Sequence, residues 1–157
     1  MPDPSPTSLA LSPTERRGRR LFTAGATLLL VMGLVHSLSL MKAPVPSNET
    51  ERQLLDLMSN YKFNLLGSQR SMQNLMTGFS IAFMLAALGL GAVDFALRRE
   101  RSQLLKRVAL INTLWLAAMT AVSLRYFFAA PTSFLIAALL IFLLATLTLP
   151  SASPASH

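Results

Sequence analysis

The chain has 157 residues, 52% of them hydrophobic and only 13% charged, with a formal net charge of +7. An average soluble domain is about 25% charged, and a fold this small has too little interior to hide so much apolar surface, so the composition excludes a water-soluble globule and points to lipid. The positive balance invites a nucleic-acid reading, which fails on placement: the basic residues sit mostly at the ends of apolar runs, where a membrane protein needs them.

In chain order, residues 1–20 read as a disordered basic tail, Pro- and Ser-rich at first and then carrying Arg16, Arg17, Arg19 and Arg20. The apolar run 21–41 is about the 20 residues a helix needs to cross the hydrocarbon. Its basic flank also fits a signal peptide, and Arg19–Arg20–Leu21–Phe22 weakly matches a twin-arginine export pattern. The spanning length, and the lack of a small-x-small cleavage site at Ser39–Leu40–Met41–Lys42, favour an uncleaved helix.

Pro44 and Pro46 forbid helix continuation and open a loop over 42–72. Within it, Ser47 and Asn48 are good N-caps, and Glu49 and Glu51 suit a helix N-terminus. Leu54, Leu57, Met58, Tyr61 and Leu65 then fall on one face, which predicts a short amphipathic helix ended by Gly67–Ser68. Three further spans are predicted over about 73–97, 108–128 and 132–149, the last two joined by a tight turn containing Pro131. Residues 150–157 read as a second disordered tail.

Together these elements predict an all-α polytopic membrane protein, an antiparallel four-transmembrane-helix bundle with an amphipathic helix in its first outer loop. The dense Arg clusters at 16–20 and 98–107 belong in the cytoplasm. Both termini are therefore expected inside, in a bacterial inner membrane. Lipid gives helices no hydrophobic reason to associate, so small residues that allow close approach matter. Gly33, Gly78, Ala82, Ala86, Gly91, Ala117 and Ala121 are the expected packing positions, with Ser37, Ala87 and Thr113 completing their spacings.

Polar groups at membrane depth are costly and therefore informative. In the outer third, His36 stands with Ser37 and Ser39, Gln73 with Asn74, Thr77 and Ser80, and Arg125 with Ser123, Tyr126, Thr132 and Ser133. These suggest an outward-facing polar cluster in which His36, Gln73, Thr77, Ser80 and Arg125 bind a ligand, Arg125 as fixed cation and His36 as titratable group. The alternative is that Arg125 snorkels to lipid phosphate and His36 merely bonds a neighbouring helix. In the inner half, Asp94 is expected to pair with Arg98, four residues on.

No cofactor or metal is expected. A haem would want two axial ligands, and Met32 lies on the same helix face as His36, so the two cannot flank one iron. The Met residues show no repeated spacing for copper. No carboxylate pair, Ser–His–Asp arrangement or phosphate loop offers a catalytic residue, and the absence of Cys removes thiolate chemistry.

Gly33–Leu34–Val35–His36, Gly78–Phe79–Ser80 and Ser123–Leu124–Arg125–Tyr126–Phe127–Phe128 before Pro131 resemble the pattern of uncharacterised small bacterial four-helix integral membrane proteins. That resemblance covers roughly residues 20–148. It implies an inner-membrane bundle and carries over no catalytic residue. The functional expectation is a non-enzymatic accessory or ligand- or lipid-binding bundle whose partners are the bilayer and a membrane protein or second copy. The alternative is a membrane enzyme or carrier using His36 and Arg125 at a periplasm-facing pocket.

Overall fold

A computed structural model describes residues 11–42 and 44–151. Its elements are α1 (Pro13–Leu40), α2 (Glu49–Asn60), β1 (Lys62–Leu65), β2 (Ser68–Ser71), α3 (Met72–Leu97), α4 (Ser102–Tyr126) and α5 (Ala129–Thr148). Helices α1, α3, α4 and α5 are each long and apolar enough to cross a membrane.

The basic segment expected to be a tail is helical from Pro13 onward. The cause is a capping sequence: the Ser12 hydroxyl accepts from the Glu15 N–H at 3.1 Å, and Pro13 takes the first helical position, where its missing N–H costs nothing. Arg16 to Arg20 therefore ride on an extension of α1. At 28 residues and 1.5 Å per residue that helix measures roughly 42 Å, longer than the ~30 Å hydrocarbon core. Residues 1–10 and 152–157 of the expected tails lie outside the described residues.

Helix α2 begins as its sequence predicts. Asn48 Oδ1 accepts from the Glu51 N–H at 2.9 Å, and the Glu51 carboxylate accepts from the Ser47 N–H at 2.6 Å, a reciprocal cap. It ends earlier than expected, at Asn60, and a β-hairpin occupies 62–71. The strands pair Lys62 with Ser71, Phe63 with Arg70, Asn64 with Gln69 and Leu65 with Ser68. Leu66 (φ 49°) and Gly67 (φ 84°) form the turn, both in the left-handed region that a two-residue hairpin of type I′ requires. Gly67 is thus a turn residue and does not terminate a helix.

Two of the longer helices also start before the expected boundary. Helix α4 starts at Ser102, so Lys106 and Arg107 are helical. Helix α5 starts at Ala129, so Pro131 lies in its first turn and not in the connection. A first-turn proline is tolerated because those N–H groups have no intrahelical acceptor.

The described residues divide into two compact units, one of residues up to 28 and from 93 onward, the other of residues 29–92. In the first unit, Phe22 and Ala26 of α1, Leu105, Ala109 and Leu116 of α4, and Leu135, Ala138, Phe142 and Ala145 of α5 are buried. Phe22 meets Phe142 edge to face, centroids 5.7 Å apart, an arrangement aromatic rings favour. A Cβ added to Gly25 would lie 2.8 Å from the Phe142 ring, so only glycine lets α1 come this close. Between α4 and α5 the contacts run in opposite chain order. Ser123 meets Thr132 at 2.7 Å, Thr113 meets Thr146 at 3.4 Å, and Lys106 Nζ donates to Ser151 Oγ at 2.9 Å.

In the second unit, α1 and α3 touch where Gly33 faces Leu88; a Cβ added to Gly33 would lie only 2.6 Å from Leu88 Cγ. Ala87 and Gly91 of α3 are buried, whereas α2 buries no residue at all.

Candidate functional site

Of the expected ligand-binding residues, His36, Gln73, Thr77 and Ser80 belong to the unit of residues 29–92 and Arg125 to the other. His36 is half-buried, and its Nε2 is sealed from solvent with no hydrogen-bond partner among the described residues. Its ring stands edge-on to Phe83, centroids 5.2 Å apart. The neighbouring serines serve their own helix: Ser37 donates to the Leu34 carbonyl and Ser39 to the His36 carbonyl, each at 2.7 Å. On α3, Ser80 lies one turn before Phe83 and is half-buried, as is Gln73, while Thr77 is exposed. Arg125 is exposed and belongs to the other unit, with its guanidinium 5.7 Å from the Tyr126 ring centroid.

Two residues of the expected cluster have a different role. Ser123 and Thr132 are both buried and bonded to each other. Thr132 gives its proton to the Phe128 carbonyl at 3.0 Å, so Ser123 is the donor in their pair. The bridge ties α4 to α5 and leaves neither hydroxyl pointing at a ligand. Ser133 donates to the Ala130 carbonyl at 2.8 Å.

The inner-half expectation for Asp94 is corrected. Asp94 is fully buried, and its partner is Asn112, whose Nδ2 donates to Oδ2 at 2.7 Å. Its Oδ1 has no partner among the described residues. Arg98 turns instead to the Phe95 carbonyl, donating at 2.6 Å, and stacks 3.9 Å over the Phe95 ring. A long cationic side chain reaching for polar surroundings behaves this way. One acid group on α1 is likewise engaged: Ser102 Oγ donates to Glu15 and accepts from Arg19 Nε, and Arg19 also donates to the carbonyls of Arg98 and Glu100. Nothing in local spacing announced this network, because Glu15 and Ser102 lie 87 residues apart.

The small-residue positions separate into two groups. Gly33 and Gly91 are buried, while Gly78, Ala82 and Ala86 on α3 and Ala117 and Ala121 on α4 are exposed. The buried face of α4 is the neighbouring one, through Ala109, Asn112, Thr113, Leu116, Thr120 and Ser123. On α3, Gly78 and Ala82 lie in a shallow open groove of about 400 Å³, lined also by Arg70, Asn74, Leu75 and Phe79.

Among the described residues, no group of three or more His, Cys, Asp or Glu side chains is placed to hold a metal ion. Compared with family models, curated proteins and solved structures, the chain matches none.

Proposed function

We propose that this chain is a non-enzymatic accessory protein of a bacterial inner membrane, an antiparallel four-span bundle with both termini in the cytoplasm, holding a lipid, small ligand or partner subunit at its outer face. The observation that carries the reading is the apolar surface on every long helix. Leu34 on α1 is 58% exposed, Phe79 on α3 74%, Leu114 on α4 65% and Leu147 on α5 70%, a distribution that water penalises and acyl chains accept.

The contacts of the first unit support the topology. The start of α1 meets the connection before α4 through Arg19 and Glu15, and Gly18 abuts Leu149 at the far end of α5. The first two segments carry the dense basic residues, and the end of α5 lies against them, which favours one cytoplasmic end for all three. The resemblance to small bacterial four-helix membrane proteins points the same way.

A second reading draws on the unpartnered, sealed Nε2 of His36: a carrier or membrane enzyme in which His36 is ligand or acid/base and Arg125 binds an anionic group. One experiment separates the two. The wild-type protein and His36→Ala are purified, and what co-purifies is identified by mass spectrometry. The accessory reading expects a stoichiometric lipid or protein companion retained in both. A small molecule lost only from His36→Ala favours the carrier, and a chain that retains nothing contradicts the accessory role.

A further inference from the structure

The groove on α3 has a polar head and an apolar track. At its outer end stands Arg70, exposed on β2, which runs into α3 without an intervening residue. Arg70 Nη1 donates to the Gln69 carbonyl at 2.8 Å. Among the described residues the ion pair formed is Arg52 with Glu49, so the Arg70 charge meets no carboxylate there. Next to it, Asn74 Oδ1 is taken by the Ser71 hydroxyl, which leaves the two Nδ2 protons to donate outward. Two side chains therefore present N–H donors and one full positive charge at the head of the groove, the chemistry that receives a phosphate oxygen.

Inward from this head the lining is apolar. Gly78 has open space where a Cβ would project, with nothing within 4 Å. Ala82 continues the floor, Leu75 and Phe79 flank it, and Phe79 is 74% exposed. From Asn74 to Ala82 the helix rises roughly 12 Å, most of the ~15 Å depth of one leaflet's hydrocarbon.

We propose that this groove seats one anionic phospholipid of the outer leaflet, its phosphate on Arg70 and Asn74 and an acyl chain along Gly78 and Ala82. The assignment deepens the accessory reading and rests on its four-span orientation. A second copy is the rival occupant. In a membrane a two-fold dimer turns about the bilayer normal, so each residue meets its own counterpart at the same depth. Packing α3 on α3 through Gly78 and Ala82 would set Arg70 beside Arg70, a like-charge contact with no acid to relieve it. An anionic lipid removes that charge and a second copy doubles it.

The test is native mass spectrometry of full-length protein released from vesicles of mixed phosphatidylglycerol and phosphatidylcholine. Wild type is expected to keep one phosphatidylglycerol per chain in preference to phosphatidylcholine. Arg70→Gln lowers that preference about fivefold, the worth of one cation near a lipid surface. Gly78→Leu lowers retention of either lipid about tenfold, because its side chain occupies the acyl track. Lys42→Gln, another outer cation, leaves both unchanged. Equal retention in all variants, indifference to headgroup charge, or a dimer that Gly78→Leu dissociates with lipid unaffected would each overturn the proposal. A Ser68→Cys variant in intact spheroplasts reports orientation. Loss of its outside labelling means that the four-span reading has failed and the groove assignment with it. Intact labelling without lipid preference means that the groove assignment alone has failed.

Discussion

The two units of this chain spend their polar residues in opposite ways. In the unit of residues up to 28 and from 93 onward, buried polar groups bond across helices: Asp94 with Asn112, Ser123 with Thr132, Ser102 with Glu15 and Arg19. Among the described residues, Asp94 Oδ1 and Thr120 Oγ1 are the exceptions there. In the unit of residues 29–92, hydrogen bonds of side chains are local, as in the pair Asn60–Asp56 or the caps of α2, and α2 buries nothing. The difference teaches where to look for function. Polar residues consumed by a scaffold hold helices together in lipid, whereas polar residues beside exposed apolar surface remain available to a partner.

Substitutions that sharpen this contrast should differ in both size and sign. The largest loss is expected from Phe142→Ala, which removes the ring that fills the space beside Gly25 and Phe22. Unfolding in mixed micelles should show a cost of about 3 kcal/mol. Asn112→Leu strips the buried Asp94 carboxyl of its donor and should cost about 2 kcal/mol. The double variant Asp94→Leu with Asn112→Leu should recover most of that, measured as a coupling energy in a double-mutant cycle. If the single and double variants are equally unstable, the pair is not the reason for the cost.

A matched pair of glycine substitutions probes the second unit. Gly33→Leu collides with Leu88 and should cost about 1–3 kcal/mol. Gly78→Leu meets open space and should stay within about 0.5 kcal/mol of wild type. One substitution is expected to act with the opposite sign. Leu66 holds φ at 49° in the hairpin turn, a conformation that suits Asn better than Leu. Leu66→Asn should therefore slow hydrogen exchange of the hairpin amides, worth up to about 1 kcal/mol.

Much of the helical framework was legible because spanning length and capping chemistry are local properties. The run over 73–97 and the Asn48 cap of α2 are read directly from residue types. The Ser12–Pro13–Thr14–Glu15 start of α1 was equally local, yet it was obscured by the Pro- and Ser-rich segment before it. The hairpin was hidden because Leu65 also completes a helical face, so its alternation with Phe63 competed with a longer helical pattern. Packing faces were less legible. Helix α3 carries small residues at helical spacing on two faces, through Gly78 and Ala82 and through Ala87 and Gly91. Only the shape of the neighbouring helix selects the second. For Asp94 the four-residue rule pointed to Arg98, while the actual partner lies 18 residues away on α4.

The central claim is that four helices cross the membrane with both ends inside. The chain contains no cysteine, so single-cysteine variants can be labelled with a membrane-impermeant maleimide in intact spheroplasts without background. The account predicts that Ser68→Cys reacts from outside, and that Thr14→Cys, Arg101→Cys and Ser151→Cys react only after permeabilisation. Labelling of Arg101→Cys or Ser151→Cys in intact spheroplasts, or protection of Ser68→Cys, would contradict it.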